Sequence, residues 1–166
     1  MRRAAVAAGA LLAASCARVG PVSRPTGDGS SRTYEVAALR FDAPATWSAE
    51  GNARAVKLTA PGGDALLEVK ATPSRAPAAE CLAGAGEALE KGSTSLSGVR
   101  RHPTTFAGKK ALAQEADQGG WHGWAWATCD GGEQYRVFLA GKSPVSRQTI
   151  DVQRQVVATA RLGGNP

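Results

Sequence analysis

The chain has 166 residues, which bounds it to one domain of ordinary size. With 43% hydrophobic and 20% charged residues it has the balance of a globular chain, which excludes an intrinsically disordered one. The formal net charge of +6 comes from basic residues that are scattered apart from Arg100-Arg101 and Lys109-Lys110, so no nucleic-acid partner is expected. No uninterrupted apolar run approaches the roughly 18 residues that a permanent membrane-spanning helix needs.

The chain opens with Met1-Arg2-Arg3, followed by the short apolar run 4–14 and the small residues Ala13-Ala14-Ser15 before Cys16. Positive charge, a brief apolar core and small residues at a cleavage point make a signal peptide, and the run is too short to span hydrocarbon. The small residues suit a peptidase cleft, and the Cys16 thiol is a nucleophile for attachment of diacylglycerol. This arrangement resembles the bacterial lipobox, although that motif usually has Leu three residues before the cysteine and Ala13 stands there, with Leu12 one place earlier. The expectation is therefore a signal peptide over 1–15 and a lipidated Cys16, with removal of Arg2 and Arg3 leaving 18 basic against 14 acidic residues. The alternative is an ordinary cleaved signal peptide in which Cys16 stands by chance. Residues 17–32 are rich in Gly, Pro and Ser without apolar periodicity, and read as a flexible tether. The address implied is the bacterial cell envelope, with the membrane as partner through the lipid. Where two membranes exist, Ala17 after the cysteine resembles the outer-membrane sorting pattern.

If Cys16 takes the lipid, Cys81 and Cys129 remain. In an oxidising compartment an even pair is most simply one disulfide, the alternative being two separate buried thiols. A metal site is not expected, because the spacing is long and neither cysteine has a His pair beside it.

The folded domain is expected over 33–162. Residues 33–42 alternate well enough for one or two strands, ended by Pro44, with Trp47 in the connection. Two β-prone runs, 53–60 and 65–72, flank Pro61-Gly62-Gly63-Asp64 as a hairpin. The period then changes. Between Pro77 and Lys91 the apolar positions Ala78, Cys81, Leu82, Ala85, Ala88 and Leu89 make a helical stripe, which Gly92 stops. Strands follow near 99–106, 110–117, 121–128 and 134–140, with Asp130-Gly131-Gly132-Glu133 as a hairpin turn. If Gly131 and Gly132 are its two-residue loop, Trp126 faces Val137 and Trp124 faces Leu139, while Cys129 shares the opposite face with Ala125 and Ala127, where the helix bearing Cys81 would cover it. A second helix over 145–161, capped by Ser143 or Ser146, carries the stripe Val145, Thr149, Val152, Val156 and Ala160, widened by Ile150 and Val157.

The order strands, helix, strands, helix, together with Phe41-Asp42-Ala43-Pro44-Ala45-Thr46-Trp47, resembles the Mog1/PsbP-like α/β/α sandwich superfamily. The hairpin over 53–72, the turn Thr105-Phe106-Ala107-Gly108 and the closing helix after the Tyr135–Leu139 strand add to the resemblance, which spans 33–162. It implies an α+β fold, an antiparallel sheet flanked by two helices. It also implies a non-enzymatic partner-binding or assembly role, because members are mostly assembly factors, binding modules and lipoproteins. The superfamily supplies no catalytic motif, and fold alone does not give function.

One constellation invites a functional reading. On a strand, His122, Trp124, Trp126 and Thr128 point one way, so the two tryptophans could form a flat platform for a sugar ring or a partner side chain, with His122 at its edge. The alternative is that the C-terminal helix lies across this face and the tryptophans are core. His122 with Asp117 or Asp130 and one of many serines could be written as a hydrolytic triad, but nothing resembles a nucleophile elbow. The glycine pairs 62–63 and 131–132 lack the Gly-x-x-x-x-Gly-Lys pattern and read as turns. His102 is expected at a polar strand edge. The expectation is a non-enzymatic envelope lipoprotein that binds or assembles with an envelope protein, with no catalytic residues, metal or cofactor. The alternatives are binding of a small ligand or glycan through His122, Trp124 and Trp126 and, more weakly, an envelope hydrolase.

Overall fold

The structure is a computed structural model that describes residues 20–163. The expected signal peptide, Cys16 and residues 17–19 lie outside them. The strands β1 (Val22–Pro25), β2 (Ser31–Val36) and β3 (Leu39–Pro44) form an antiparallel meander. This corrects the tether reading for residues 22–25 and 31–32, which are strand. The Gly, Asp and Ser that suggested a tether build the turn between β1 and β2, where the Asp28 carboxylate accepts hydrogen bonds from the Thr26 and Ser30 hydroxyls and the Ser30 N–H. The strands β4 (Ser48–Asn52), β5 (Ala55–Thr59) and β6 (Ala65–Pro73) form a second meander, whose β5–β6 arm is the expected hairpin. All five residues of β4 are exposed, so it gave no alternating signal.

The helix α1 (Ala78–Gly92) is followed by β7 (Ser97–Phe106), β8 (Lys109–Gln118), β9 (Trp121–Asp130) and β10 (Glu133–Lys142). The chain closes with α2 (Arg147–Thr159) and the two-residue β11 (Arg161–Leu162). Among the described residues there are two antiparallel sheets, ordered β1-β2-β3-β11 and β4-β5-β6-β10-β9-β8-β7. Gly131 and Gly132 adopt φ of 57° and 79°, the left-handed pair that a two-residue type I′ hairpin requires. That loop fixes the register: Trp126 lies opposite Val137 and Trp124 opposite Leu139, as strand parity predicts.

The main core lies on the inner face of the large sheet, beneath the small sheet and α2. Tyr34 and Phe41 of the small sheet, Trp126, Val137 and Leu139 of the large one, and Val152 and Val156 of α2 belong to this one buried cluster. The Ser146 hydroxyl caps α2 by accepting from the Thr149 N–H at 3.1 Å, and Thr149, Val152, Val156 and Ala160 are buried along the expected stripe. On the outer face α1 lies over β9 and β8, with Cys81 joined to Cys129 across a Cα separation of 6.2 Å. The helix sits close: a Cβ on Gly86 would come within 2.9 Å of Leu112 Cδ1. Its buried stripe is narrower than its sequence suggests, because Cys81 and Ala85 are buried whereas Leu82, Ala88 and Leu89 are half-exposed and Ala78 is exposed.

The fold is α+β with sheet dominant. A single sheet flanked by two helices was expected, and the four-stranded sheet that shares the inner face with α2 was not. It draws strands from both ends of the described chain, and β1 and β11 are too short to announce themselves by periodicity.

Candidate functional site

The expected aromatic platform is divided by burial. Trp126 is 7% exposed and stacks on Phe106 at 5.8 Å between ring centroids, so it is core and not surface. The physical reason is the cover that the small sheet and α2 provide, beneath which large aromatics fill the interlayer space. Trp124 is half-buried, its Nε1–H donating to Glu115 Oε1 at 3.0 Å. The His122 ring meets Trp124 edge-on at 4.6 Å, with Nδ1 2.7 Å from Asp117 Oδ1 and Nε2 3.2 Å from Glu115 Oε1. Arg100 pairs with the other oxygen of Glu115 at 2.9 Å. Both ring nitrogens of His122 are therefore occupied by carboxylates, and Asp130 pairs instead with Lys109 at 2.9 Å. His102 is exposed on the edge strand β7, where Pro103, lacking an N–H, is tolerated. Among the described residues no group of three or more His, Cys, Asp or Glu side chains is arranged to hold a metal ion.

The opening with binding character lies on the outer face of the large sheet. Where α1 ends at Gly92 the sheet continues uncovered, leaving an open groove of about 450 Å³. Ala116, Gly123, Ala125 and Ala140 make a floor of small residues, and Leu66, Leu96, Trp121 and Phe138 supply apolar walls. Gln114 and Gln118 are the polar side chains at its margin. A groove of this size, mostly apolar with a few placed polar groups, has the form of a binding site. Phe138 is 41% exposed and lies over Gly123, where a Cβ would meet Phe138 Cε2 at 3.0 Å. At the end of the groove the Lys142 ammonium stands 5.8 Å from the centre of the Trp121 ring, within cation–π range.

Sequence reasoning missed this groove although part of its signal was present. Trp121 has the opposite parity to Trp124 and Trp126, and Phe138 the opposite parity to Val137 and Leu139, so both point away from the main core. Only the length and placement of α1 decide that this second face stays open there.

No protein-family model matches the sequence, and no curated protein sequence matches it. Among solved structures, the chain is similar to the solution structure of cyanobacterial PsbP (CyanoP) from Synechocystis sp. PCC 6803, with a TM-score of 0.54 and 12% identity, covering 90% of this chain and 96% of that one. It is also similar to a crystal structure from Bacteroides thetaiotaomicron VPI-5482, with a TM-score of 0.48 and 13% identity over 89% of this chain and 50% of that chain. The chain has a PsbP-like fold.

Proposed function

We propose that this chain is a lipid-anchored, non-enzymatic binding module of the bacterial cell envelope, and that a partner protein docks in the outer-face groove. The observation that carries the reading is the exposure of Phe138 beside Trp121 above a floor of alanine and glycine. A large exposed aromatic over an uncovered sheet is the kind of anchor that interface cores use. The Cys81–Cys129 disulfide supports export to an oxidising compartment, and the N-terminal sequence up to Cys16 supports a lipid anchor there, in the outer membrane where two membranes exist. We read the architecture as an α/β/α sandwich in which the small sheet has been added beside α2. Trp126 is buried and exposes little of its ring beside Trp124, although both line a shallow opening with His102 and Gln153, and this counts against glycan stacking at that face. Occupied ring nitrogens on His122 count against its acting as a hydrolytic base.

The test is site-specific photocrosslinking in the native host, with a photoreactive residue in place of Phe138 and, as control, in place of the exposed Val99 on β7. The expected result is a discrete adduct from position 138 and none of the same mass from position 99. Identical adduct patterns from both positions, or none from 138, would reject docking in the groove.

A further inference from the structure

Resting on that reading, we infer that the docked segment is acidic as well as apolar, with carboxylates on both sides of an apolar centre. Along β10 the outward positions are Arg136, Phe138, Ala140 and Lys142, so the exposed phenyl ring stands between two cations on one strand face. The six residue steps from Arg136 to Lys142 span about 20 Å of extended chain. Next to β10, Lys70 of β6 lies directly opposite Arg136 in the antiparallel register. Like charges placed opposite one another weaken strand pairing. Here neither finds a carboxylate: among the described residues Lys70, Arg136 and Lys142 are in no ion pair, and Arg136 Nε donates to Gln134 Oε1 at 3.1 Å.

Three acids of this face, Glu80, Glu87 and Glu90, belong to α1 over β9 and β8, and Glu68 of β6 lies directly opposite Phe138. Glu68, the one carboxylate on β6 and β10 that shares the face, is paired at 3.9 Å with Lys57 of β5, and Glu50 of the outer strand β4 also lies opposite Lys57. Two unpaired cations therefore stand at one end of the Phe138 surface and one at the other. A segment that laid apolar side chains on Phe138 and Trp121 and carboxylates toward Arg136 and Lys70 at one end and Lys142 at the other would satisfy all of them. Such charge complementarity sets orientation and rejects basic or neutral competitors.

The experiment uses the full chain in detergent and three fluorescently labelled synthetic peptides with one shared Leu/Phe centre and flanks of Glu, Gln or Lys, read by anisotropy across a salt series. The Glu-flanked peptide is expected to bind at least tenfold tighter than the Gln-flanked one at low salt, with the advantage shrinking as salt rises and the Lys-flanked peptide weakest. The double variant Lys70→Glu/Arg136→Glu should abolish that preference, and Phe138→Ala should weaken all three peptides; these side chains are exposed, so the fold is retained. Equal binding of Glu- and Gln-flanked peptides, lost in Phe138→Ala, would overturn the acidic inference and leave the docking reading standing. Preferential binding of the Glu-flanked peptide that survives Phe138→Ala would place the contact elsewhere and overturn both. Failure of every peptide to bind would likewise overturn both.

Discussion

At the scale of single residues, two buried tyrosines show how this core depends on neutral phenols. The Tyr135 hydroxyl accepts a hydrogen bond from the Ala38 N–H at 3.3 Å, tying β10 to the turn between β2 and β3, where Ala37 has a φ of 51°. Tyr34 stacks on Phe41 at 5.8 Å. Burial raises the pKa of both tyrosines above the usual 10.0 by penalising the phenolate. Above about pH 10 the unfolded chain releases these protons while the folded chain keeps them, so the unfolded state binds fewer protons and stability falls as pH rises. Denaturant titrations at pH 8, 10 and 11 should show this loss, and Tyr34→Phe should reduce it; an unchanged slope in the variant would exclude Tyr34 as a source. Residue-scale legibility was mixed. The parity of Trp124 and Trp126 was readable because strand alternation is local, whereas their unequal burial was not, because it depends on which layer lies above each of them.

At the scale of elements, α1 is the weakly held member. It buries Cys81 and Ala85 and is otherwise half-exposed or exposed, and Gly84 and Gly86 each cost about 1 kcal/mol against Ala in a helix interior. The Cys81–Cys129 bond closes a separation of 48 residues, worth roughly 4 kcal/mol in the chain-entropy model. Reduction should lower the unfolding free energy by about that amount, and in the reduced protein the amides of α1 should exchange before those of β10. Exchange of α1 as slow as that of β10 after reduction would show that packing alone holds the helix. The helices and the long hairpins were legible because their periods of 3.6 and 2 run over many residues. The strands β1, β4 and β11 were not: one was masked by turn composition, one has no buried position, and one is two residues long.

At the scale of the molecule, the anchor proposed at Cys16 and the folded body are closer in sequence than the composition of 17–32 suggested. Because β1 begins at Val22, the chain between Cys16 and the first strand reaches no more than about 20 Å even fully extended. A domain held by that proposed anchor would sit near its membrane. The variant Cys16→Ser should abolish labelling by radioactive fatty acid and release the chain from the membrane fraction. Equal labelling of variant and parent would sink the lipoprotein reading.

The sequence by itself determined the local geometry: the glycine-paired hairpin that sets the β9–β10 register and the stripe of α2, while the structure chose Ser146 over Ser143 as its cap and joined Cys81 to Cys129. The hairpin and the stripe follow from spacing within one element or across one turn. Only the tertiary structure decided which faces are covered. The small sheet gathers strands from both ends of the described chain and, with α2, buries Trp126, whereas α1 stops at Gly92 and leaves Phe138 and Trp121 open. Alternation tells which way a side chain points, but the layer that meets it is set by long-range packing that no local period encodes.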